Sequence, residues 1–379
     1  MHINPNGLGQ ALIYPYYTVR SAQGNAYDTY MSVVNSSSSS KGLRVRFREG
    51  KNSRSVLDLN VYLGDGDVWT AAVTSTSNGT RLITADKSCT TPAIPASGLS
   101  FSNAAYSGSS NDNETATLDR TREGFMEIIE MGEITGTLIS ALAGNTGSPR
   151  NCSAVIDSIV QAAIIPGKGG LSGTGSLINV LNGVDYSYNA VALDGFSLTT
   201  LWQTAGNAHP DLSDVNPKTS YVLTQGSSGT TLISSNWQGP GFNPADPVSA
   251  ILMRDNIINE FVLDYATLSS TDWVVTLPTK HFYLGIDPTY LSTPFPMGAV
   301  TEFRFDSPAQ RPFQRNFGMG GACDDADIHL GDRESIRPIS NSKLTNTYNA
   351  RLIAYLRPFA LALRNLRLEP IPARLAAGD

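Results

Sequence analysis

The chain has 379 residues, with 27 Lys and Arg against 33 Asp and Glu, a net charge of −6. Its 41% hydrophobic content supports a core and excludes wholesale disorder, and at about 150 residues per domain the length suits two or three domains or one large β-domain. No apolar stretch reaches the roughly 18 residues of a membrane-spanning helix, and the mild acidity argues against a dedicated nucleic-acid binder.

Charged residues make up 16%, well below the ~25% of ordinary soluble domains. Ser, Thr, Asn and Gly supply the polarity instead, a bias that suits secreted and cell-surface β-proteins. The opening residues, Met1 to Gly7, carry neither a basic region nor an apolar one. That leaves a cytosolic protein or an exported one whose signal peptide is absent from this chain, and the composition favours export.

The first ninety residues read as successive strands at 10–19, 29–34, 42–48, 56–63 and 68–76. Short β-branched and aromatic runs between turn clusters are the mark of a β-sandwich or barrel. Over 42–48, Leu43, Val45 and Phe47 alternate with Arg44, Arg46 and Arg48. Period 2 predicts one buried face and one solvated face bearing the arginines, which would also discourage stray edge pairing. Residues 36–40 are serines of a hairpin loop, too short for a linker. The polar stretch 90–119 can bury little and reads as a long surface loop, with a strand following at 124–131.

Asn151 is placed to cap a helix in which Val155, Ile156, Ile159, Val160 and Ala163 share one face. The glycine-rich residues 167–175 end it, as a candidate domain seam or a loop; Gly167-Lys168-Gly169-Gly170 lacks P-loop spacing. Strands are expected at 221–224, 230–235, 257–264, 272–277 and 300–305, with a second short helix at 248–254 after Asp246-Pro247. No repeat of 20–50 residues is evident. Residues 346–379 form an Arg-rich C-terminal segment containing Arg351, Arg357, Arg364, Arg367 and Arg374, with Pro358 breaking any helix. It reads as a final strand with a basic tail, or as a docking segment.

Of the three cysteines, Cys89 and Cys152 lie in polar loops and none belongs to a CxxC pair. A Cys89–Cys152 disulfide is expected in an exported chain, with Cys323 free or intermolecular; three unpaired core cysteines are the alternative.

Metal chemistry points to Asp324, Asp325, Asp327, Asp332 and Glu334, hard oxygen donors that Ca²⁺ would accept, although the EF-hand glycine is missing. A polar loop explains the same cluster. Gly64-Asp65-Gly66-Asp67 is a turn between strands. The histidines are His2, His209, His281 and His329, and neither GxSxG nor HExxH occurs. Lys280-His281 with Glu127 or Glu130 would be a conceivable site, but a turn with exposed side chains suffices. Glu127 and Glu130, three apart on a strand, point to opposite faces and cannot form a paired-carboxylate glycosidase site. The cations Lys41, Arg44, Arg46, Arg48, Lys51 and Arg54 are explained by the strand face rather than by nucleic acid. Tyr14, Tyr16, Tyr17, Phe282, Tyr283 and Tyr290 are candidate sugar-stacking aromatics, or core.

Residues 9–19, the run VRFREGKNSRSVLDLNVYL at 45–63, DWVVTLPTKHFYL at 272–284, Arg122-Glu123-Gly124 and Gly320-Gly321-Ala322-Cys323 resemble uncharacterised secreted proteins of Gram-negative bacteria. The resemblance implies export and an all-β fold, and it carries no activity or functional residues. The acidic run after Cys323 and the Arg-rich tail depart from it.

The expected architecture is therefore mainly β: an antiparallel sandwich of immunoglobulin-like or jelly-roll type over 1–345, with long loop insertions and two short helices. The function favoured is non-enzymatic, a cell-surface or extracellular-matrix protein that assembles with itself by strand addition. Residues 3–12, with Ile3, Leu8 and Leu12, are the candidate donor segment, or else simply the start of the first strand of their own domain. A glycan- or Ca²⁺-dependent adhesin-like module is the alternative, and no other cofactor is implied.

Overall fold

The computed structural model describes residues 1–254 apart from 21–25, 113, 143–150, 227–228 and 240–241, together with 274–283, 327–331, 338–343 and 361–362. In chain order the first strands are β1 (His2–Ile3), β2 (Ala11–Thr18), β3 (Asp28–Asn35), β4 (Ser40–Glu49), β5 (Ser55–Leu63) and β6 (Val68–Ser75). They are followed by β7 (Thr80–Ile83), β8 (Cys89–Thr91), β9 (Leu99–Ser100), β10 (Glu123–Ile134), β11 (Ile164–Ile165), β12 (Leu171–Asn179), β13 (Val184–Asn189) and β14 (Val191–Asp194). A separate hairpin, β15 (Thr219–Gly226) and β16 (Gly229–Asn236), comes next. Two short antiparallel pairs complete the set: β17 (Val274–Val275) with β20 (Leu361–Ala362), and β18 (Asp327–Gly331) with β19 (Pro338–Lys343).

Fourteen of these strands make two antiparallel sheets. One runs β1-β14-β2-β10-β4-β5-β8, with β11 added to β10, and the other runs β13-β12-β3-β6-β7-β9. They pack face to face as a sandwich. Leu12, Leu43, Val45, Phe47, Leu59 and Ile128 of the first sheet share a core with Val33, Trp69, Val73 and Leu82 of the second. The strands expected up to residue 131 are all present with ends shifted by at most a few residues, because clean alternation and turn clusters define them locally.

Around β14, β2 and β10 the other face of the first sheet is apolar too. Ala11, Ile13, Ile129 and Leu193 pack there against Phe196, Leu212, Val215 and the helix α3 (Asp246–Leu252). Strands β2 and β10 are thus buried on both sides; the near-continuous apolar sequence of β2 fits that position, whereas β10 carries Glu127, Glu130 and Glu133 into buried sites. Pro15 is tolerated inside β2 because the ladder to β10 skips from Tyr17 to Tyr14 there, leaving a bulge where no N–H is needed.

Several expectations change. The helix α2 (Asp157–Ala163) begins six residues after Asn151, which instead precedes a 3-10 turn, and of its apolar residues only Val160 is fully buried. A third helix, α1 (Leu138–Leu142), was not expected. The helix α3 starts with Asp246 inside its first turn and Ala245 as cap. Residues 90–119 are not a superficial loop, since Phe101, Tyr106 and Asp112 are buried and anchor it to the sandwich. The stretch 167–175 links the two sheets: β11 ends in one and β12 begins in the other. The strands expected at 257–264 and 300–305, Tyr290, Cys323 and the tail arginines lie outside the described residues.

Candidate functional site

On β4, every second residue faces away from the sandwich core, and there the arginines differ from expectation. Arg44, Arg46 and Arg48 are 1%, 2% and 7% exposed. Their cross-strand neighbours explain how charge is accommodated: Arg44 and Arg46 each reach Asp58 at 2.6 Å, and Arg48 is ion-paired to Glu127 of β10. The segment between β14 and β15 folds over this row and offers backbone acceptors. Arg44 donates to the carbonyls of Gln203 and Thr204 (3.0 and 2.7 Å), and Arg46 to those of Asn207 and Pro210 (2.7 and 3.2 Å). A guanidinium with its fork of donors can be buried when carboxylates and carbonyls surround it. The row is structural, a polar seam gluing a loop to a sheet.

Glu127 and Glu130 do lie on opposite faces. Glu130 points inward to Lys41, whose ammonium lies 2.5 Å away with Glu133 at 3.4 Å, all three buried. The glycine-rich link caps this cluster: Gly169 N–H donates to Glu130 at 2.7 Å, and a Cβ on Gly167 would sit 2.3 Å from the Glu130 carboxyl carbon. Burial raises the Glu130 pKa, and Lys41 only partly offsets it.

A third cluster closes the end of β4. Arg120 grips Asp112 with two bonds of 2.8 Å, meets Glu49 at 2.9 Å and lies 4.0 Å from the centre of the Tyr106 ring. Lys280 is buried rather than exposed at a turn, because the short 3-10 turn Lys280–Tyr283 docks against α3 through Tyr283, which donates to Asp246 at 2.6 Å. Burial, then the nearby Arg48 and Arg54, hold His281 well below the ordinary histidine pKa.

His209, Asp211 and Asp214 bring their ligand atoms within 4.8 Å of one another. Each is already committed to bracing the loop. Asp214 accepts from His209 Nδ1 and from the Asp211 backbone N–H, both at 2.8 Å, while Asp211 accepts from the Ser213 hydroxyl at 2.6 Å. The hydrogen bond to Asp214 raises the His209 pKa above its ordinary value. We expect His209 to titrate above pH ~6.5 in NMR, and Asp214→Asn to bring it back down. An unchanged titration in that variant would break the assignment.

Cys89 and Cys152 form the expected disulfide, with their Cα atoms 5.1 Å apart. Such bonds persist in oxidising compartments. Of the calcium candidates, Asp327 opens β18 opposite Lys343, whereas Asp324, Asp325, Asp332 and Glu334 lie outside the described residues. Of the two alternatives for 3–12, the structure shows the start of the chain's own domain: Ile3 pairs with Leu193 in β14 and Leu12 is fully buried in the core, while Pro5, Asn6 and Leu8 are exposed in the connection between β1 and β2. Of the aromatics, Tyr14, Tyr16, Tyr17 and Tyr283 are buried, and Phe282 packs against the α3 cluster.

The strands expected at 221–224 and 230–235 form the β15–β16 hairpin; what the sequence reading missed is that it is uncharged and exposed. From Thr219 to Asn236 no residue is ionisable as acid or base apart from Tyr221, and Leu223, Leu232 and Ile233 stand 71%, 61% and 46% exposed. Met1 bonds the start of β15 on one side (Met1 N to Thr219 O, 2.9 Å, and Tyr221 N to Met1 O, 2.9 Å). Among the described residues β16 pairs with β15 alone. A second open edge is β13, where Val184 and Tyr186 are exposed beside Val180 and Leu181 of the preceding turn. The signal was available as the absence of charge between Lys218 and Asp246.

These features define a class: a disulfide-bonded antiparallel β-sandwich with buried charge clusters and, among the described residues, two nearly charge-free open edges. Comparison with family models, with curated proteins and with solved structures finds no match. Among the described residues no helix is long and apolar enough to cross a membrane.

Proposed function

We propose that this chain is a non-enzymatic protein of the cell surface or extracellular matrix that assembles with copies of itself through its open strand edges. The observation that supports this best is the β15–β16 hairpin, with its uncharged strands and exposed leucines. Pairing of an edge with its own copy about a two-fold axis opposes the same side chains, so charges there would repel. The Thr219–Asn236 hairpin has none, and it lacks the lysines and prolines that normally blunt an edge. Edge β13, with Asp185 as its single charge, provides a second and different contact. Two distinct two-fold contacts on one molecule build a chain rather than a closed dimer. Export and the Cys89–Cys152 bond fit the same setting.

Light scattering and negative-stain microscopy of the purified chain test the reading. Concentration-dependent multimers or filaments are expected, and a Leu232→Lys/Ile233→Lys variant should remain monomeric while keeping its fold by circular dichroism. A native chain that stays monomeric at every concentration, or a lysine variant that assembles as well as the native chain, would sink the proposal.

A further inference from the structure

We propose that the outward face of the six-stranded sheet is a binding site for a neutral oligosaccharide, on a surface separate from the Thr219–Asn236 hairpin. A cleft of ≈ 630 Å³ lies there, floored by β3, β6, β7 and β12 and walled by residues of the 84–97 segment. That volume falls within the ~300–1,000 Å³ typical of small-molecule clefts.

The strand register shows what the floor presents. Ser176, Tyr30, Ala72 and Ile83 lie in one cross-strand row, and Thr174, Ser32 and Thr70 form the next. Tyr30 is therefore one large ring among short side chains, and it remains 47% exposed. A half-exposed aromatic whose directly paired neighbours are Ser176 and Ala72 offers a flat apolar platform, the complement of the C–H face of a pyranose.

Around the ring the chemistry is that of hydroxyls. Ser32 Oγ and Thr174 Oγ1 lie 2.8 Å apart, as do Ser176 Oγ and Ser187 Oγ, and both pairs are exposed. Two hydroxyls that share one hydrogen bond keep one O–H donor and several lone pairs for a ligand. Sugar hydroxyls, donors and acceptors at once, match that inventory. Arg81 is the one ionised side chain in the lining, and it already donates to Ser97 O and Thr74 Oγ1, both at 3.4 Å. With no carboxylate in the lining and a single cation, neither a metal nor a polyanion is the natural occupant.

The test is calorimetric titration of the full chain with xylohexaose, cellohexaose, laminarihexaose, chitohexaose and, as the acidic control, hexagalacturonate. At least one neutral hexasaccharide should bind. Tyr30→Phe should retain that binding, and Tyr30→Ala should weaken it by about tenfold or more, since the ring face supplies the contact. The Leu232→Lys/Ile233→Lys chain should bind as the native chain does, which separates this site from the assembly reading. Failure of every neutral sugar at millimolar concentration, undiminished binding by Tyr30→Ala, or binding of hexagalacturonate alone would each overturn the proposal.

Discussion

Replacing the bridge with Cys89→Ser/Cys152→Ser is expected to cost about 4 kcal/mol, the loop-closure entropy of a cross-link spanning 63 residues. The two cysteines join parts of the fold that share little else. Cys89 starts β8 at the edge of the first sheet, and Cys152 lies in the turn before α2. Between them sits a small core of Tyr62, Ile134, Leu138, Leu142 and Val160. So few side chains cannot hold α1 and α2 down as firmly as the large core holds the sheets. Denaturant unfolding should show the lowered midpoint, and hydrogen exchange should show protection lost first in β8 and α2. Cys152 is exposed, so a reductant added to the native chain should reach the bond and produce the same change. An unchanged midpoint would mean the bond contributes nothing to stability.

The second large effect is expected at Arg120. Replacement by Met keeps the length of the side chain but leaves Glu49 and Asp112 buried around an apolar stem. Only Arg54, 3.6 Å from Asp112, remains as a close cation. Breaking a buried ion pair from one side costs about 3–5 kcal/mol, mostly the penalty of an uncompensated charge. The pH dependence identifies the cause. Burial alone would raise the Asp112 pKa, but hydrogen bonds from Arg120 and Asn52 prevail and hold it below the ordinary value. A depressed carboxyl contributes stability above its unfolded pKa of about 3.9 and loses it as pH falls through the folded value. In Arg120→Met burial dominates at Asp112, its pKa rises, and the penalty is greatest at neutral pH. The difference between native and variant chains should therefore shrink on acidification from pH 7 towards 4.5. Urea unfolding at the two pH values measures it, and a pH-independent difference would assign Arg120 a packing role only.

Both effects concern charge or covalency inside a protein whose surface is mostly Ser, Thr and Asn. The low charged fraction therefore has a structural meaning. Lys41, Arg44, Arg46, Arg48, Arg120 and Lys280 are all buried, as are Glu49, Glu127, Glu130 and Glu133.

The legible part of the fold was its strands. Alternation over 42–48 and the β-branched runs of 56–63 and 68–76 depend on nearest neighbours only, and they reappear as β4, β5 and β6. The disulfide was also legible, because two loop cysteines outside any metal spacing leave little else for them to do. The start of α3 was legible from Asp246-Pro247, because Pro fits the first helical turn, whereas the start of α2 was not: Asn151 precedes a 3-10 turn and the helix begins at Asp157. Of the functional surfaces, the hairpin could have been read from its lack of charge. The sheet cleft could not, because Tyr30, Thr70 and Thr174 become neighbours only when three strands distant in sequence align.

The arginines of β4 mark the boundary most sharply. By itself the sequence determined that Arg44, Arg46 and Arg48 share one face and that this face differs from the one bearing Leu43, Val45 and Phe47. Alternation carries no information about what covers a face. Tertiary structure decided that residues 203–210, about 160 positions away, would fold over it with their carbonyls aimed at the guanidinium groups. A solvated row and a buried, ion-paired row have the same local pattern. Only the partners supplied by Asp58, Glu127 and that distant loop offset the desolvation cost and make burial the lower free energy.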